Sequence, residues 1–265
     1  MDLGLAGKIA LVTAASKGLG FATARELTRE GTQVMICGRD QGRLDEAITK
    51  LKREFGHDAP VAAVVADVSR ADEVSALVSA TVSTFGGVDI LITNAGGPPS
   101  GTFDSTDRAA WERGVNLTLM STVHLVKEAL PYLRQSSAAS ILTVTSVSVK
   151  QPIGNLLLSN AIRPAVIGLT KTLSQEYGPE GIRANSILPG WTATERVEYL
   201  LNSRANINGT TVEEEASKIG SGVALRRIGN PQEFAKVATF LVSPAASYVN
   251  GVMMQVDGGF YAGLM

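Results

Sequence analysis

Two short stretches of this 265-residue chain carry residue types suited to gripping phosphate. The first is Thr13-Ala14-Ala15-Ser16-Lys17-Gly18-Leu19-Gly20, which follows the apolar run Ile9–Thr13 and opens a helical pattern reaching about Glu30. A strand–turn–helix junction of this kind turns backbone N–H groups and the positive end of a helix toward a pyrophosphate. Gly18 and Gly20 permit close approach and dihedrals that side chains resist. The second stretch is Cys37-Gly38-Arg39, closing the apolar run Gln33–Cys37. An acid there would bind the ribose 2′-hydroxyl of NAD, whereas an arginine pairs with the 2′-phosphate of NADP. Gly38 stands where the acid would go, Arg39 follows it, and Lys17 adds a second cation near the same phosphate. Either cation alone reads as a solvated surface charge. Flanking one pocket, they make NADP(H) the expected cofactor.

These residues need a frame, and the hydrophobic pattern supplies one. Strand-like runs at Ile9–Thr13, Gln33–Cys37, Val61–Ala66, Val88–Thr93, Ile141–Thr145, Arg183–Leu188 and Val252–Val256 alternate with helical patterns. Asp40 is placed to cap a charged helix reaching about Phe55, and Asp107 to start a long helix reaching Leu133 that Pro131 would bend or end. Further helices are expected over Asp72–Phe85, Leu157–Tyr177 and Pro231–Val242, the last with proline in its first turn. The strands are continuous apolar runs, which suits a parallel sheet covered on both faces. The expectation is one doubly wound α/β domain over residues 1–265, of Rossmann type, with a sheet of about seven strands. Trp191 to Gly229 breaks the rhythm, is helix-prone and has an apolar side formed by Trp191, Val197, Tyr199, Leu200 and Leu201. It reads as an insertion over the site, a candidate lid.

Composition excludes other classes. Apolar residues make up 45% and charged residues 18% of the chain, a globular balance rather than a disordered one. Lys+Arg number 24 against Asp+Glu 25, so there is no electrostatic case for nucleic acid or an anionic membrane. The lone Cys37 excludes an internal disulfide, and two distant histidines, His57 and His124, give no metal site. His124, among apolar residues, reads as a packing group. The N-terminal segment lacks the features of a signal peptide and no apolar run reaches membrane-spanning length, so a soluble, cytoplasmic protein is expected.

Taken together, the Thr13–Gly20 turn, Asp67-Val68, Asn94-Ala95-Gly96, Asn116, Ser146, Pro189-Gly190 and Asp257-Gly258-Gly259 resemble the short-chain dehydrogenase/reductase family over nearly the whole chain. The flavour is similar to 3-oxoacyl-[acyl-carrier-protein] reductases and to sugar or alcohol dehydrogenases. One departure is Ala14, where the family's first turn glycine stands. The resemblance implies that Asp67 and Val68 contact the adenine. It implies that Asn94, Ala95 and Gly96 line the ribose and nicotinamide, and that Pro189-Gly190 with Thr192 or Thr194 hold the carboxamide end. A small carbonyl or alcohol substrate, and a homotetramer built through the two long helices, are further implications.

The family reduces carbonyls with Asn, Ser, Tyr and Lys, the tyrosine giving a proton as hydride arrives. Asn116 and Ser146 match two of these. The tyrosine is expected thirteen residues after the serine, and Ser159 stands there; the lysine is expected four later, and Arg163 stands there. No tyrosine occurs between Tyr132 and Tyr177, so the residue is absent and not shifted. A serine hydroxyl is a far weaker acid than a phenol of pKa about 10. Arg163 can still hold the ribose and supply charge, but it is no proton donor. Substitute proton sources are a water held by Ser146 and Ser159, Lys150, or Tyr199. Pro164 would free the Asn160 carbonyl to hold a water. Three readings remain open: an NADP(H)-dependent reductase with an altered proton-donor site, an NADP(H)-binding protein without efficient turnover acting as a sensor or assembly partner, and a lyase or isomerase reusing Ser146.

Overall fold

In a computed structural model that describes residues 2–264, the apolar runs form parallel strands. They are β1 (Ile9–Val12), β2 (Gln33–Gly38), β3 (Val61–Val65), β4 (Ile90–Thr93), β5 (Ser140–Val144), β6 (Arg183–Pro189) and β7 (Met253–Val256). Among the described residues these make one seven-stranded sheet in the order β3-β2-β1-β4-β5-β6-β7. The order reverses beside β1, which pairs with both β2 and β4 (Leu11 opposite Met35 and Leu91). A crevice opens at such a reversal, outside the carboxyl ends of the strands.

Each central strand is buried on both faces, which explains its unbroken apolar sequence. Ala10, Val12, Val34, Ile36, Ile90 and Ile92 face a core shared with α1 (Gly18–Arg29), α2 (Gln41–Phe55) and α9 (Pro231–Val242). Leu11, Met35, Cys37 and Leu91 face the opposite core, shared with α3 (Ala71–Phe85), α5 (Ser121–Leu133) and α6 (Leu157–Glu176). The expected caps form: the Asp40 carboxylate accepts the Arg43 N–H at 2.9 Å, and Asp107 accepts that of Ala110 at 2.7 Å. The strand expected from Val88 begins two residues later, at Ile90, and just before it the Asp89 side chain accepts the Ile9 N–H at 2.8 Å.

The long helix expected from Asp107 to Leu133 divides. It runs as α4 (Arg108–Val115), passes through a wider π turn over Asn116–Met120 and continues as α5. The Ser121 N–H reaches back to the Asn116 carbonyl, five residues away, which is the π spacing. Pro131 lies in the last turn of α5, so the helix ends two residues beyond it, at Leu133. Pro164 is exposed on α6, which runs through it unbroken, and neither it nor Asn160 borders the cavity described below.

The irregular stretch after β6 carries α7 (Glu195–Asn208) and α8 (Val212–Gly222). Thr194 caps α7 and Thr211 forms a capping box with Glu214 on α8. Trp191, Val197, Leu200, Leu201 and Ile219 pack with Leu156 into a small core of their own. Tyr199, grouped with them on sequence, points outward and is 52% exposed. Among the described residues no helix is long and apolar enough to cross a membrane.

Candidate functional site

The turn between β1 and α1 is stitched to its neighbours before any ligand is considered. Thr13 Oγ1 donates to the Asn94 carbonyl at 2.6 Å and accepts the Asn94 N–H at 2.9 Å. The Ala15 N–H donates to the Cys37 carbonyl at 2.8 Å, and Asn94 Nδ2 reaches the Ala14 carbonyl at 3.2 Å. The loops after β1, β2 and β4 are thereby locked around a cavity of about 760 Å³. Ser16, Lys17, Gly18, Leu19, Arg39, Asp67, Val68, Asn94, Ala95, Gly96, Pro189, Gly190 and Thr192 all line it, as do Ser146, Ser159 and Arg163.

Two expected residues stand apart from that wall. A Cβ on Gly20 would sit 2.6 Å from the Ala14 carbonyl oxygen and 2.9 Å from Asn94 Nδ2, so this glycine lets α1 pack tightly against the two loops instead of lining the cavity. Asn116 opens the π turn, is exposed and also lies off the lining; Leu117 borders the cavity in its place. Lys150, Tyr199 and His124 are off the lining too, and among the described residues no tyrosine is on it. Lys150 rests over the Tyr261 ring at 5.8 Å, and Arg196 over the Tyr199 ring at 5.4 Å.

Gly18 has a left-handed backbone, φ +60°, within the turn. Ala14 is left-handed as well, φ 47°, in a region where a side chain is strained. Relieving a left-handed alanine is worth about 1–2 kcal/mol, and the added freedom of glycine in the unfolded chain takes back about 0.4–1 kcal/mol. Ala14→Gly is therefore expected to raise the Tm of the protein. A lower Tm would mean that the methyl group contributes more packing than the strain removes.

One end of the cavity is cationic. Lys17 pairs with Glu195, the first residue of α7, and Arg43 Nη1 lies 3.8 Å from the same carboxylate. Arg39 Nη1 lies 3.9 Å from Asp67. Burial and the nearby Arg43 charge hold the Lys17 ammonium below its usual range. A side chain at position 38 has little room, since a Cβ there would be 3.2 Å from Ser16 Oγ and 3.4 Å from Leu44 Cδ2. A side chain where an NAD-binding acid would stand would therefore have to displace Ser16 by a few tenths of an ångström.

The other end carries the hydroxyls. Ser146, in extended backbone after β5, accepts the Ser148 N–H at 3.1 Å. Ser148 Oγ lies 3.2 Å from Ser159 Oγ, which accepts a hydrogen bond from Arg163 Nε at 3.0 Å. Arg163 Nη1 donates to the carbonyls of Thr145 at 2.8 Å and Val144 at 3.2 Å. The four-residue spacing of Ser159 and Arg163 places them one turn apart on α6, as the helix period requires. Burial, with the Arg196 charge beside it, pushes the Arg163 guanidinium down to about 10, so it stays protonated near neutral pH. The arrangement sets hydroxyl groups on one side of the cavity with a fixed positive charge behind them, a disposition able to hold and polarise an oxygen. Ser148, Arg43, Glu195 and Arg196 were not expected here. Arg43 is the third residue of α2, four after Arg39, a spacing that could have flagged it; Ser148 lies two residues past Ser146, and Glu195 and Arg196 open α7 just after Thr192 and Thr194.

Comparison with known proteins identifies the family and the fold. A family model described as Enoyl-(Acyl carrier protein) reductase matches residues 13–261. Dehydrogenase/reductase SDR family member 4 of Sus scrofa is 34% identical over 257 residues, covering 96% of this chain and 88% of that protein. L-sorbose reductase from Gluconobacter frateurii, solved with NADPH and L-sorbose, superposes with a TM-score of 0.94 at 31% identity, covering 100% of both chains. An NADPH-bound short-chain oxidoreductase from Pseudomonas aeruginosa PAO1, described as containing an atypical catalytic center, superposes with a TM-score of 0.88 at 31% identity, covering 97% of both chains.

Proposed function

The chain belongs to the short-chain dehydrogenase/reductase family, and on that premise we propose that it is an NADP(H)-dependent oxidoreductase interconverting a carbonyl and an alcohol, with an atypical proton-donor site built from Ser146, Ser159 and Arg163. The observation that carries the reading is the cavity itself, which joins the cationic end to the paired hydroxyls across the carboxyl ends of the strands. The residues present fit the cofactor. Gly18 leaves the turn open for a pyrophosphate, position 38 carries no acid, and Lys17, Arg39 and Arg43 answer a 2′-phosphate. NADPH-bound relatives support the same assignment.

When bound, NADPH supplies the hydride. The protein's own part is to hold a carbonyl oxygen and manage its charge. Ser159 Oγ already accepts from Arg163, so its own hydrogen is free to point at a substrate oxygen or at Ser148. Ser146 can donate a second hydrogen bond. The guanidinium of Arg163 stabilises negative charge developing on that oxygen without giving up a proton. A water held at the serine pair and exchanging with bulk solvent relays a solvent proton to the developing alkoxide, Arg163 keeping its charge throughout; among the described residues no tyrosine borders the site. Trp191, Val197 and Leu200 close the cavity from α7's side, so the segment from 191 to 229 acts as the lid over the bound substrate. Ser146→Ala is expected to lower turnover further.

Calorimetric titration tests the cofactor assignment: NADPH binds more tightly than NADH, and the reverse order would overturn it. Glu195 refines the experiment. Its carboxylate occupies Lys17 and Arg43, the cations offered to the 2′-phosphate. Exposed ion pairs are worth little, so Glu195→Gln is expected to tighten NADPH by about two- to fivefold while leaving NADH unchanged. Weaker NADPH binding in this variant would show that Glu195 supports the site instead of competing for it.

A further inference from the structure

Arg163 and Arg196 both line the cavity, and the Arg196 charge is close enough to press the Arg163 guanidinium down. Arg196 extends from α7 and lays its guanidinium on the backbone at Gly97, donating from Nη2 to the Pro98 carbonyl at 2.7 Å. Burial lowers its pKa. Among the described residues, no carboxylate lies within ion-pairing distance of either arginine, although many other arginines of this chain have one. Two like charges, half-buried and unneutralised in one pocket, are unfavourable unless an anion joins them. Among the described residues the Arg196 guanidinium makes one hydrogen bond, to Pro98, so most of its donors remain for a ligand. The surrounding wall, with Leu117, Ile153, Leu156 and Trp191, is apolar.

We propose that Arg196, with Arg163 behind it, makes this site selective for a carbonyl substrate that bears a carboxylate on an apolar skeleton. The inference rests on the reductase reading above and names the substrate class for that site. The carbonyl oxygen goes to the serines, the carboxylate to Arg196, and the apolar body to the wall beneath α7. A planar guanidinium suits a carboxylate because two parallel N–H groups match its two oxygens. The same guanidinium chemistry could instead serve the cofactor's diphosphate, so the experiment separates the two anions.

The probes are benzoylformate and 3-benzoylpropionate, each compared with its methyl ester, using NADPH oxidation and the Tm of the NADP⁺-bound protein. The acids are expected to be favoured over the esters in kcat/KM and to raise Tm where the esters do not. Charged hydrogen bonds of this type correspond to a preference of about tenfold or more. Arg196→Gln is expected to collapse that ratio. Gly97→Ala should do the same without removing the charge, because its Cβ would occupy the place of the guanidinium, 2.6 Å from Nε. In both variants the NADPH dissociation constant is expected to shift less than the acid-to-ester ratio. Acids and esters used equally well, or a loss confined to NADPH affinity, would overturn the proposal. Failure of the protein to bind NADPH at all would instead strike the reductase reading.

Discussion

Ser159→Tyr combined with Arg163→Lys raises turnover of a reducible carbonyl by about 10²–10⁴-fold, the usual contribution of a positioned general acid. The expectation follows from what the site already holds. Ser146 is in place, both substituted positions line the cavity, and they lie one turn apart on the same face of α6. Arg163 alone cannot be changed so simply, since it anchors the Val144 and Thr145 carbonyls and the Ser159 hydroxyl. Lysine at that position keeps the charge and loses the fork, which is why the pair is changed together. NADPH oxidation against a carbonyl panel measures the effect. No gain, with NADPH affinity retained, would mean that the site does not present a carbonyl to these positions.

Lys17→Ala with Arg39→Ala produces the second large change, a loss of about 100-fold in NADPH affinity. Each charged hydrogen bond to a phosphate is worth about 1.5–3 kcal/mol. Arg39 is 76% exposed and Lys17 42% exposed, so the low end of that range applies to both. Two such losses sum to about 3 kcal/mol, or roughly two decades at 1.4 kcal/mol each. NADH, lacking the phosphate, is expected to bind the variant and the parent alike. Equal losses for both cofactors would place these cations on the shared part of the dinucleotide and remove the basis for NADP(H) selection.

The frame was legible because it is written in local terms. Buried parallel strands need unbroken apolar runs, and Asp40, Asp107 and Pro231 act within a few residues of their own position in sequence. The site was legible in part for the same reason: Thr13–Gly20, Asn94–Gly96 and Pro189-Gly190 are loops that follow directly from the strands they terminate. What local pattern could not show is long-range. The π turn at Asn116 comes from a five-residue hydrogen bond that no apolar period announces. Glu195 meets Lys17, and Arg196 meets Pro98, because α7 folds back over loops far away in the chain. Tyr199 shows the converse: it shares a helix with Val197 and Leu200, yet the rotation of α7 turns it to solvent. Gly20 has the residue type of a cofactor-binding position, but its space is taken by the Ala14 carbonyl and Asn94.

Deuterium transfer is the direct measurement. The protein is incubated with NADPH labelled at the reactive C4 position and the panel of carbonyl compounds, including the two benzoyl acids, and the products are read by mass spectrometry. The proposed oxidoreductase yields an alcohol carrying deuterium on the former carbonyl carbon, at one face, with NADP⁺ formed in equal amount. Tightly bound NADPH that survives the whole panel unoxidised, with no labelled alcohol, would contradict it and leave a nucleotide-binding protein in its place.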